Sequence, residues 1–210
     1  MSPPKFSRFL SGLLILAASA CTRDVDSAIV RRFSKPDASV VRVVTFPVED
    51  ASDLYVSRFD WQLDWWGSFV CFQFRHGRIE WITDVAEEPF EQSICSAKAV
   101  RLKGVDEPVI EVIALSHRGN GELRLYALEN RRLTLLLRTS VIDFDGAETY
   151  RNGVLSIRYA DLNGDGFDDV ALVGILDYYS EKGEAVLSSI PVRRHFSWDS
   201  VSRRFRRICE

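Results

Sequence analysis

What most constrains this chain is a succession of short apolar segments, rich in Val, Ile, Leu, Phe, Tyr and Trp, cut apart by Gly, Asn and Asp. Such segments form strands, because β-branched and aromatic side chains suit a pleated surface and Gly or Asn accepts the positive φ of tight turns. Strands are expected at Val40 to Phe46, Phe69 to Phe74, Arg78 to Ile82, Val109 to Leu115, Glu122 to Leu128, Leu133 to Thr139, Val154 to Tyr159, Val170 to Ile175, Ile190 to Trp198 and Arg204 to Ile208. Arg75-His76-Gly77-Arg78 and Arg118-Gly119-Asn120-Gly121 are short enough to close hairpins. Only Ser52 to Phe59 and Ala86 to Ser96 leave room for a helix, and neither carries a helical period. The expected class is all-β.

The chain also resembles itself. Arg101 to Val112 lies over Asp161 to Leu172 at an offset of 60 residues, each copy being a turn-rich loop that leads into an apolar strand. Recurrence at this length suggests blade-like antiparallel sheets that bury their faces against neighbouring units. At about 40 to 60 residues per unit the body holds three or four blades, so a partial or fused propeller-like assembly is expected, with a β-sandwich as the competing architecture.

The second copy carries the one sharp chemical feature. Asp161, Asn163 and Asp165 alternate, Gly166 permits a sharp reversal, and Asp169 closes the stretch. Calcium takes six to eight oxygens, which three alternating side chains, a backbone carbonyl and a closing carboxylate can supply. Four acids within nine residues would otherwise repel. The loop is not an EF-hand: Leu172 stands where a bidentate Glu is required, and a strand follows instead of a helix.

Tyr159 to Val173 resembles the core of the FG-GAP or VCBS repeat, a DxNxDGxxD loop feeding a buried strand, familiar from integrin α-chain propellers and bacterial surface proteins. That resemblance implies a structural Ca2+ held by Asp161, Asn163, Asp165 and Asp169 through side chains and by Phe167 through its carbonyl, with Asp168 pointing outward. The upstream copy has Arg101, Lys103 and Val105 at the first three ligand positions and cannot hold calcium in this way.

At the N-terminus, Lys5 and Arg8 precede an apolar run from Phe9 to Ala18 and small residues up to Ala20, the order of a secretory signal. The run is shorter than the ~20 apolar residues needed to cross a bilayer. Ala18-Ser19-Ala20-Cys21 resembles the lipobox of bacterial lipoproteins, which implies a lipidated Cys21. Its acyl chains would anchor the protein to a membrane without a spanning helix. The expected division is a signal peptide over 1–20, a polar, irregular lipid-anchored tether over 21–38, and a β-repeat domain over 39–210. The expected location is the cell envelope, as an outer-membrane lipoprotein that faces the periplasm or the surface; a soluble secreted or periplasmic protein is the alternative.

Loss of residues 1–20 takes the formal charge from -3 to -5, and a mildly acidic domain is a poor nucleic-acid binder. The basic stretch Arg203 to Arg207 is expected as a terminal strand with Val201, Phe205 and Ile208 packed; contact with anionic lipid is its other reading. Export permits one disulfide among Cys71, Cys95 and Cys209.

Two further clusters bear on function. Asp60, Trp61, Asp64, Trp65 and Trp66 place aromatics beside carboxylates, a pattern that suits core packing or a glycan-binding surface. His76, His117 and His195 have no Cys or acidic partner at metal-ligand spacing, and no nucleophile elbow is visible. The expectation is therefore a non-catalytic, calcium-stabilised module that binds a protein or an envelope component, with a glycan-binding or glycan-processing surface protein as the alternative.

Overall fold

A computed structural model describes residues 25–34, 39–61, 67–84, 93–115, 121–142, 151–152, 155–180 and 185–208. These are all-β apart from one short helix, in three antiparallel sheets of four, four and five strands, none closed into a barrel. The first sheet runs β1 (Val40–Pro47), β2 (Leu54–Trp61), β3 (Ser68–Arg75) and β4 (Arg78–Ile82). The second runs β5 (Ser93–Val100), β6 (Val109–Leu115), β7 (Gly121–Glu129) and β8 (Arg132–Ile142). In the third, the short β9 (Arg151–Asn152) pairs with β11 (Asp169–Tyr179), whose sheet order is β10 (Ser156–Ala160), β11, β12 (Val186–Asp199), β13 (Arg204–Ile208). Apart from β9, which skips β10 to pair with β11, strands consecutive in the chain are neighbours within each sheet, so each is a meander. The sixty-residue offset survives in the fold: β6 opens at Val109 and β11 at Asp169, each the second strand of its sheet.

Strand alternation sends side chains to opposite faces, and the burial shows what each face meets. On β3, Phe69 and Cys71 join a core with Ile110, Val112, Ala114 and Tyr126 of the second sheet, Phe69 stacking on Tyr126 at 5.4 Å. Its alternate residues Val70, Phe72 and Phe74 face the other way into a separate cluster. From β7, Leu123, Leu125 and Ala127 enter a third core with Val170, Leu172, Leu176, Phe196 and Trp198 of the third sheet. The sheets therefore stack in chain order.

Residues 25–33 depart from the irregular tether expected there. They form helix α1, which closes the outer face of the first sheet. Val25 and Ile29, one turn apart, are fully buried, and Phe33 stacks on Phe59 at 4.5 Å. Two strands also fall in the windows left open for helices, β2 and β5. β2 is hidden in sequence because Ser57 and Arg58 interrupt its apolar pattern; both are buried, Arg58 through its 2.8 Å ion pair with Asp60. At the C-terminal end Phe205 packs as expected, but Val201 is 94% exposed in a turn and Ile208 is 40% exposed. Cys71 is a free thiol, pushed up to about 12 by burial, which leaves it unreactive at neutral pH. Cys209 and the side chain of Cys95 lie outside the described residues, as do the signal region and Cys21. Among the described residues no helix is long and apolar enough to cross a membrane.

Polar links tie one sheet to the next. Glu49 pairs in parallel with Lys98 of β5, giving N–H to Ala97 O at 3.0 Å and taking Ala99 N–H at 2.8 Å. Between the second and third sheets, the Tyr159 hydroxyl donates to Glu111 at 2.5 Å. Burial, with the Glu111 carboxylate alongside, pushes the Tyr159 phenol far above its usual range. A phenol raised in the folded state stabilises fully below the unfolded tyrosine value, about 10, and loses that contribution as pH rises beyond it. Tyr159→Phe is expected to lower stability by about 1–3 kcal/mol at neutral pH, since Glu111 loses its donor. Denaturant titrations at neutral pH and above pH ~10 should show the deficit shrinking in alkali.

Candidate functional site

The second strand of each sheet is reached through a loop, and the three loops lie at the same end of the stack. Asp50 and Ala51 of the first, Arg101 to Lys103 and Val105 to Pro108 of the second and Asp168 of the third line one cleft of about 950 Å3. Of the acidic loop Asp161 to Asp169, Asp168 is the residue that lines it.

That loop is built by side chains that accept from its own backbone. Asp161 Oδ1 takes the Gly164 N–H at 2.7 Å and Oδ2 the Gly166 N–H at 3.0 Å. Asn163 Oδ1 accepts from Asp165 N and Asp165 Oδ1 from Phe167 N, both at 2.9 Å. Asp and Asn favour such turns because their short side chains reach the backbone two residues on. Gly164 at φ 79° and Gly166 at φ 91° supply the left-handed steps between them.

Asp169 closes the loop from inside the protein. Fully buried at the first position of β11, it accepts from Leu162 N at 3.1 Å and from Trp198 N of β12 at 3.2 Å. One carboxylate thus joins both ends of the loop to the sheet. The Asn163 amide spans further, donating to Asp165 Oδ2 at 2.9 Å and to Ser197 Oγ at 3.0 Å.

The expected ligand residues are therefore brought together in one loop, with all donors hard oxygens. Each carboxylate oxygen carries two lone pairs, so accepting one N–H leaves it able to meet a cation as well. Among the described residues no group of three or more His, Cys, Asp and Glu side chains is gathered as a metal site. The fit to calcium rests on the kind and order of the oxygen donors, with Asn163 and the Phe167 carbonyl needed to complete the set.

Asp168 and Phe167 do what the sequence did not reveal. Asp168 does not point outward: its Oδ2 accepts the Lys103 N–H at 2.7 Å while its own N–H donates to Lys103 O at 2.9 Å. The Phe167 side chain packs against the core between the second and third sheets and sits directly over Gly104, where an added Cβ would come within 2.0 Å of the ring. Arg203, in the turn after β12, ion-pairs with Glu107 and holds that carboxyl below its usual range. The two sixty-residue-related loops are thus locked to one another.

The aromatic cluster has a different setting. Trp61 is half-buried, edge-on to Phe59 at 5.7 Å, with its indole N–H donating to Ser68 Oγ at 3.1 Å. Asp60 is held by Arg58. Asp64, Trp65 and Trp66 lie outside the described residues. Of the histidines, His76 sits in the β3–β4 turn at φ 51°, and His195 lies in β12; His117 lies outside the described residues.

No protein-family model, curated protein or solved structure matches this chain.

Gly104→Ala is expected to cost roughly 1–3 kcal/mol, because φ of 92° strains any side chain and the new methyl meets the Phe167 ring. The double variant with Phe167→Ala should lose less stability than the two single losses added together, because the ring clash is gone while the backbone strain stays. Chemical denaturation of the two single variants and the double variant checks this coupling.

Proposed function

We propose that this chain is an exported, lipid-anchored module of blade-like, propeller-type sheets, stabilised by calcium, that binds a protein or envelope component without catalysing a reaction. The observation that carries the reading is the loop Asp161 to Asp169, whose acidic donors stand at the junction of two sheets through Asp168 to Lys103 and Phe167 to Gly104. Ca2+ would be held by Asp161, Asn163, Asp165 and Asp169 and by the Phe167 carbonyl. The ion supplies positive charge to three carboxylates of one short loop.

Loops on a rigid sheet scaffold are where recognition is usually built. The cleft beside the acidic loop presents the Arg101 and Lys103 side chains with Asp50 and Asp106, a mixed polar rim suited to a folded partner. The FG-GAP-like loop and the N-terminal signal with Cys21 support placement at the cell envelope.

An ion that binds only the folded state raises its melting temperature by mass action. The chain should melt higher in excess calcium than in chelator, and Asp165→Ala should abolish the difference. A pull-down from envelope extract, run in both conditions, should retain a partner. Equal melting in both buffers, with no calcium found by direct binding, would remove the metal; an empty pull-down would remove the partner.

A further inference from the structure

Among the described residues, nothing covers one face of the third sheet. Val170, Leu172, Phe196 and Phe205 point into the core shared with the second sheet, so the register places Arg158, Ile175, Arg193, Arg204, Arg206 and Ile208 on the opposite side. The outer face of the first sheet lies beneath α1, whereas here Ile175 is 57% exposed and Ile208 is 40% exposed. Between them lie Val173, Pro191, the small Ala171 and His195.

The charge on this face is lopsided in a chain that is acidic overall. Arg158, Arg193 and Arg204 are exposed and make no ion pair among the described residues, and Arg206 is held by Asp199 at 2.7 Å. The other acid on this side, Asp177, accepts the Ser189 hydroxyl at 2.6 Å. Aliphatic residues interleaved with arginines have the make-up of a protein interface, where Arg is enriched and Lys depleted. The four cations of this face are all arginine.

A second copy fits poorly. A two-fold contact would oppose arginine to arginine, and a head-to-tail contact on α1 would meet the exposed Arg31 and Arg32. An anionic membrane is less favoured because, among the described side chains, this face carries no Trp or Tyr to settle at headgroup level.

We propose that this face docks an acidic partner protein, whose aliphatic residues cover Ile175 and Ile208 while its Asp and Glu side chains meet Arg158, Arg193 and Arg204. The proposal rests on the binding-module reading and does not use the calcium loop.

The test uses the full chain and a fluorescein-labelled peptide of alternating Glu and Val as probe, with a Lys and Val peptide as the control. Saturable anisotropy binding of the acidic peptide alone is expected, weakened about tenfold by Arg158→Glu with Arg193→Glu and hardly changed by Arg31→Glu with Arg32→Glu. Circular dichroism melts must match between variants, and single reversals replace the pair if they do not.

No saturable binding, or equal loss in both charge-reversed pairs, would overturn the proposal. So would preferential binding to phosphatidylglycerol vesicles through the same arginines, or a concentration-dependent doubling of mass that the face variant abolishes. If the peptide fails while envelope extract still yields a partner, only this surface is wrong; if both fail, the binding-module reading falls with it.

Discussion

The constraint on which this structure depends is that a sheet with apolar residues on both faces must be covered on both. β3 buries Phe69 and Cys71 on one side and Val70 and Phe72 on the other, and β7 buries Tyr126 toward the first sheet and Leu125 toward the third. At ~25 cal/mol per Å2 of apolar surface removed from water, no such sheet is stable as a solitary layer. Stacking in chain order covers both faces of the first two sheets, with α1 closing the first, and one face of the third.

Apolar contact alone leaves sheets free to slide, and the polar links remove that freedom. The Glu49 bridge to β5, the Tyr159 hydroxyl on Glu111 and the paired bonds between Asp168 and Lys103 each fix one sheet against the next at a single registered point. The candidate site is one of these points. In an ion-free loop, backbone N–H groups already hold Asp161, Asp165 and Asp169, so a bound cation would act on the loop's charge more than on its shape.

How much of this could be read in the sequence depended on whether the burial pattern was periodic. Strands such as Phe69 to Phe74 and Val170 to Ile175 were legible because their apolar runs are uninterrupted and bounded by turns. β2 was not, since Ser57 and Arg58 are interior yet polar, and only the pairing of Arg58 with Asp60 explains them. In α1 the spacing of Val25, Ile29 and Phe33 did carry a helical face, but three positions in a short polar stretch are a weak signal. The acidic loop was legible as a set of donors, whereas its coupling to Gly104 and Lys103 was not, because contact between two loops leaves no local pattern.

The meander topology has a consequence for how the chain is made. Each sheet draws its hydrogen bonds from one continuous stretch, and each new sheet packs on the one made just before it. Non-local pairing is what slows all-β folding and exposes sticky intermediates; here it is confined to neighbours in sequence. A chain that emerges N-terminus first during synthesis can complete α1 and the first sheet while the rest is still being made. Each finished layer is then a template for the next.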